Sequence, residues 1–210
     1  MKHRAPPFYP PWLRGWHWTN AGLFLVLVAT GLSMHYADAH TPLVPFRAAR
    51  LAHNAAGLLI IAAWAGFLLA NLRSGNIRHY RVRLGGLGGR VLRQTRWYVS
   101  GIFRGRRSPY PETARRKFNP MQALTYAVLM YGWFPVLAGT GLMLLFPELA
   151  PARFLGWGGV WPAAVLHLTA GFAGTLFLLG HLYLATTGQT VLSHFEAMLT
   201  GGEFAKEERS

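Results

Sequence analysis

Ala163-Ala-Val-Leu-His167-Leu-Thr-Ala-Gly-Phe-Ala-Gly-Thr-Leu-Phe-Leu-Leu-Gly-His181-Leu-Tyr-Leu-Ala-Thr-Thr187 contains two histidines and no charged side chain. A helix crosses the hydrocarbon of a bilayer with about 20 apolar residues, so this stretch is long enough to span one. Its histidines are fourteen positions apart, which brings them within about 40° of whole helical turns and separates them by roughly 21 Å along the axis. Both imidazoles therefore leave one face at two depths. Ionisable groups inside a membrane are costly, and two in register suggest two stacked cofactors with bis-histidine ligation.

Three other runs lack Asp, Glu, Lys and Arg: Leu23 to Met34, Ala55 to Ala70 and Ala123 to Phe146. With their flanks they predict an all-α integral membrane four-helix bundle, one domain over residues 1–210. The helices are expected at about 13–36, 47–72, 120–146 and 161–188. Pro6, Pro7, Pro10 and Pro11 should delay the first until about Leu13, and Pro135 should kink the third. Lys2, Arg4 and the small pair Ala37 and Ala39 imitate a cleavable signal peptide, but the Trp16-His17-Trp18 cluster at the start of the apolar run argues against one.

The net charge of +14 is informative through its placement. Thirteen of the 21 Lys and Arg lie between Arg73 and Lys117, within the expected loop 73–119, and the two short loops hold only Arg47, Arg50 and Arg153. The positive-inside rule then puts both termini and the long loop in the cytoplasm. Charge explained this way does not call for nucleic acid, and no reader motif accompanies it. Gly85, Gly86, Gly88 and Gly89 lack the ending of a phosphate-binding loop and read as a turn. Arg90 to Phe103 reads as an amphipathic helix lying in the inner headgroup layer. The absence of cysteine excludes disulfides, thiolate-ligated clusters and covalent c-type haem on this chain.

Helix direction now sorts the histidines by depth. His53 and His167 fall early on inward-running helices and form an outer pair. His17 begins an outward-running helix and His181 ends an inward-running one, forming an inner pair. Two pairs roughly 20 Å apart cannot make one tetrahedral zinc site, whereas axial haem ligation needs two imidazoles per level. Gly57 and Gly171 each follow a ligand by four residues, and Gly31 and Gly141 are expected at the outer level; all four are candidates for making room for a porphyrin. Arg14, Lys117, Arg47 and Arg50 are candidate partners for haem propionates. A transporter with a histidine-lined path is disfavoured because no helix contains Asp or Glu.

The chain resembles the di-haem cytochrome b membrane subunits of formate dehydrogenase and thiosulfate reductase. The resemblance rests on Arg14, His17, Trp18 and Asn20, on Thr30-Gly31-Leu32, on the His53 helix, on Lys117-Phe118-Asn119-Pro120-Met121-Gln122 ahead of Tyr126, on Thr140-Gly141-Leu142 and on the fourteen-residue histidine pair. It implies a bacterial cytoplasmic-membrane subunit that anchors an extracytoplasmic catalytic partner. Electrons would pass between that partner and menaquinone or ubiquinone through two haem b groups. It also implies a quinone site beside the inner haem at Asn119, Gln122 and His181. Helix capping by Asn119 and interfacial solvation of Gln122 are their alternative roles. The short tail after the fourth helix departs from longer relatives and would reduce one partner contact. A stand-alone quinone-linked cytochrome b, oxidising a small reductant such as superoxide, is the second functional class.

Overall fold

The computed structural model describes residues 9–36, 43–80, 82–111, 118–154, 156–188 and 190–201, with the side chains of residues 79 and 80 excepted. Lys2, Arg4, Pro6, Pro7, Ala37, Ala39 and Lys117 lie outside them. The helices are α1 (Pro11–Tyr36), α2 (Phe46–Arg73), α3 (Leu87–Arg96), α4 (Pro120–Val128), α5 (Phe134–Leu145), α6 (Trp161–Ala185) and α7 (Ser193–Thr200). A two-residue hairpin, β1 (Arg153–Phe154) and β2 (Trp157–Gly158), precedes α6. This is an all-α membrane bundle.

Among the described residues three helical stretches are long and apolar enough to cross a membrane: α2, α6 and the composite Pro120–Leu145. At 26 residues α1 has the length, but Arg14, His17, Thr19 and Asn20 make its first turns more polar. It starts at Pro11, before the expected Leu13, because a proline in the first helical turn gives up only an N–H that would be unpaired there.

The composite span is interrupted by a π-helical turn, Leu129–Trp133, just before Pro135. Proline cannot donate to the ladder, and a wider turn ahead of it accommodates the local break. Trp64 Nε1 from α2 donates to Met130 O in that turn at 3.0 Å. Two more indoles act in the same way. Trp16 Nε1 of α1 donates to Ala63 O of α2 at 2.9 Å, and Trp133 Nε1 donates to Ala170 O of α6 at 2.9 Å. The spans are thus tied in chain order by partly buried N–H groups that would otherwise lack partners in hydrocarbon.

Packing is uneven in a way that matters for the site. The α1–α2 and α5–α6 pairs pack extensively, while contacts between the two pairs are sparse. The bundle is thus built of two helical hairpins, α1–α2 and α5–α6. At its inner end Leu13 and Phe67 form a small core with Trp12, Trp16, Phe118, Tyr126 and Met130, and Trp16 stacks on Phe67 at 4.3 Å. The tail helix α7 folds back on α1: Arg14 Nη1 donates to Leu199 O, and Trp18 Nε1 donates to Met198 O at 3.2 Å.

Candidate functional site

The histidines meet between the hairpins in the expected pairs. His53 of α2 faces His167 of α6 with ring centres 6.3 Å apart, and His17 of α1 faces His181 of α6 at 6.2 Å. Metal bonds to imidazole nitrogen of about 2 Å, plus about 1.2 Å from nitrogen to ring centre on each side, place two axial rings about 6.4 Å apart. Both pairs match that separation. Since α6 is regular from Trp161 to Ala185, the two levels are roughly 21 Å apart along it. Among the described residues no three His, Asp or Glu side chains gather to hold a metal, so each level offers two ligands.

The outer pair is oriented by a motif repeated in both hairpins. Thr140 Oγ1 donates to Val136 O at 2.7 Å, which leaves its lone pairs to accept from His167 Nδ1–H at 3.0 Å; Leu137 O is 3.1 Å from the same nitrogen. In the first hairpin Thr30 Oγ1 donates to Val26 O at 2.6 Å and accepts from His53 Nδ1–H at 2.9 Å. A proton held on Nδ1 leaves the Nε2 lone pair free for a metal and fixes the ring plane. In the sequence these threonines stand out only within the stretches that carry the family resemblance. Their chemistry was hidden because a threonine bonded to the carbonyl four residues back is common on any helix.

The glycines divide into two groups. A Cβ at Gly141 would lie 3.1 Å from His167 Cε1, and one at Gly31 would lie 3.4 Å from His53 Cε1. These two therefore seat the imidazoles, a closer role than the expected room for a porphyrin. Gly171 has no atom within 4 Å of a would-be Cβ, and Gly57 meets only Leu27 Cδ2 at 4.0 Å, so this second pair borders open space.

The inner pair is held differently. His17 Nδ1 is buried without a hydrogen-bond partner, and His181 stacks on Phe177 one turn earlier, with ring centres 5.8 Å apart and planes at 20°. The hairpin repeat breaks here. Position 67, fourteen after His53 as His181 is fourteen after His167, is the buried Phe67, and the partner of His181 comes from α1. Midway between the levels, Gly174 receives the Trp133 ring: a Cβ there would lie 2.3 Å from Trp133 Cζ2 and 3.2 Å from Phe24 Cζ. Trp133 and Phe24 make an edge contact at 6.1 Å. Nothing in the sequence singled out Gly174 among the glycines of an apolar helix.

Asn119 and Gln122 form a capping box at the start of α4. Asn119 Oδ1 accepts from Gln122 N at 2.9 Å and Gln122 Oε1 accepts from Asn119 N at 3.0 Å, while Asn119 Nδ2 donates to Tyr98 Oη at 3.1 Å. The capping role therefore uses both side-chain oxygens and leaves the Gln122 Nε2 donor. Of the candidate propionate partners, Arg14 is engaged with α7, whereas Arg47 and Arg50 are exposed at the outer start of α2.

The family model described as prokaryotic cytochrome b561 matches residues 8–201. The chain is also 39% identical over 198 residues to "Putative cytochrome YdhU" of Escherichia coli (strain K12), covering 92% of this chain and 72% of that protein. The chain belongs to the prokaryotic cytochrome b561 family, whose members are haem b electron-transfer proteins of the bacterial inner membrane.

Proposed function

We propose that this prokaryotic cytochrome b561 holds two haem b groups, His53 and His167 binding the outer one and His17 and His181 the inner one. It carries electrons between an extracytoplasmic oxidoreductase partner and the quinone pool. The pairing at two levels carries this reading: ring centres 6.3 Å and 6.2 Å apart suit two axial imidazoles on one metal. Open space beside Gly57 and Gly171 supports it, as does the sparse packing between the hairpins. Haem supplies reversible one-electron transfer when bound. The protein contributes ligation, fixed depth and exclusion of water.

The resemblance to formate dehydrogenase and thiosulfate reductase subunits supports the partner and the quinone. Gln122 Nε2 offers a donor to a quinone carbonyl, and Asn119 fixes the turn from which Gln122 projects. Phe118 and Tyr126 pack with Leu13 and Phe67, which places this helix start at the same end as His17.

The test is the dithionite-reduced spectrum and a pyridine haemochrome assay on purified protein. Two haem b per chain is the expected result, and one or none would defeat the two-level assignment. Reoxidation of the reduced protein by a water-soluble quinone tests the acceptor. A partner retained on gentle purification separates the subunit reading from a stand-alone enzyme.

Thr140→Val keeps shape and removes the acceptor of the His167 Nδ1 proton. Loss of such an outer partner weakens a metal site by about 10- to 100-fold, so T140V is expected to shed the outer haem selectively during dilution or gel filtration. Thr30→Val should do the same through His53. Retention of both haems with unchanged potentials would show that the hydroxyls do not support the ligands.

A further inference from the structure

A second charged feature lies on the basic cytoplasmic loop, away from the histidines. A cleft of about 480 Å³ is lined by Arg93, Arg96, Arg106 and Arg107 together with Trp97 and Ser100. Arg93 and Arg96 belong to the last turn of α3, which runs on through a π-helical turn, Trp97–Gly101, and a 3-10 turn, Ile102–Arg104. The chain then reverses at Gly105, whose φ of +62° suits glycine. Arg106 N donates to Gly101 O at 3.0 Å, and Trp97 Nε1 donates to Arg106 O at 2.7 Å. Gly101 is required for this closure, because a Cβ there would sit 2.6 Å from Trp97 Cδ1.

The reversal sets one arginine pair opposite the other. Among the described residues none of the four guanidiniums has a hydrogen bond or ion pair, and the whole chain has only seven Asp and Glu. Four like charges held around one cleft by a tryptophan clamp repel one another, and a multiply charged anion would relieve that repulsion. Arginine forks suit phosphate oxygens.

The surroundings identify the source of the phosphate. Leu92 lines the cleft, Val99 and Phe103 follow along the same helical stretch, and the three are 50%, 71% and 72% exposed, while Gln94 is fully buried. Exposed apolar side chains beside exposed arginines on a cytoplasmic surface helix suit the boundary between headgroups and acyl chains. We infer that this cleft is a binding site for the phosphate headgroup of an anionic phospholipid of the inner leaflet, with Leu92, Val99 and Phe103 against its acyl chains.

Native mass spectrometry of the purified full chain, with phosphatidylglycerol, cardiolipin or phosphatidylcholine added, tests this. The anionic lipids should bind and phosphatidylcholine should not. Arg106→Gln with Arg107→Gln should weaken anionic-lipid binding about 25-fold, the equivalent of about 1 kcal/mol per arginine at a membrane surface. The charge-matched pair Arg83→Gln and Arg104→Gln should leave binding nearly unchanged. Trp97→Phe, which removes the N–H donated to Arg106 O without altering charge, should weaken binding as well. Equal loss in the two double variants would reduce the effect to bulk charge and overturn the site. Equal binding of phosphatidylcholine would overturn it too, and full competition by inorganic phosphate or pyrophosphate would replace the lipid with a free anion. Circular dichroism checks folding; if Trp97→Phe unfolds, the exposed pair Arg106 and Arg107 decides the matter.

Discussion

His181→Ala is expected to halve the haem content, from two haem b per chain to one, and to abolish reoxidation of the protein by quinone. The imidazole ring centre lies 6.2 Å from that of His17, and among the described residues no third His, Asp or Glu gathers with the pair. With a small side chain there His17 alone would hold the inner haem, and a haem held from one side would be readily lost. His53→Ala should give the complementary result: the outer haem lost, the inner haem and its reaction with quinone retained. Pyridine haemochrome ratios and reduced-minus-oxidised spectra of the two variants distinguish the levels. If His53→Ala abolished quinone reoxidation and His181→Ala preserved it, the assignment of quinone to the inner side would fall.

Gly174→Ala and Gly171→Ala, three residues apart on α6, should have opposite effects on the protein fold. At Gly174 the added methyl would lie 2.3 Å from Trp133 Cζ2 and 2.8 Å from Trp133 Cη2, so the indole must move. Overpacking of this kind costs about 1–3 kcal/mol, and displacing Trp133 also endangers its bond to Ala170 O, worth about 1 kcal/mol. A clear fall in melting temperature in detergent is expected. At Gly171 nothing lies within 4 Å, so alanine costs no contact and improves helix propensity by up to about 1 kcal/mol. Gly171→Ala should therefore leave the haem-free fold as stable or more so while lowering haem retention if a porphyrin occupies the space. A melting temperature reduced equally in both would show that Gly171 also serves helix packing.

The residues differ in how readable they were. The histidines were legible because two constraints acted together: fourteen residues return a helix to nearly the same face, and charge placement orients each helix. The pairing of the four histidines followed without any knowledge of contacts. The roles of Gly31 and Gly141 were only half legible, since sequence spacing gives a level and not the neighbour across it. At both positions that neighbour is an imidazole. Asn119 and Gln122 show the same ambiguity, because the residue types that would meet a quinone also make a capping box. The arginine cleft lay beyond sequence reading. Composition revealed the basic loop, but the turn at Gly105 and the bond from Trp97 to Arg106 are what bring the two arginine pairs together.

The tryptophan tethers have a consequence for how substitutions can accumulate in this bundle. Trp16, Trp64 and Trp133 each end on a main-chain oxygen, at Ala63, Met130 and Ala170. Any residue at an acceptor position still supplies that oxygen, so the acceptor side chain can change without breaking the link, while loss of the indole breaks it. The dependence is one-sided: three interhelical contacts leave their mark on the donors alone, and paired substitutions at the two ends would carry little trace of them.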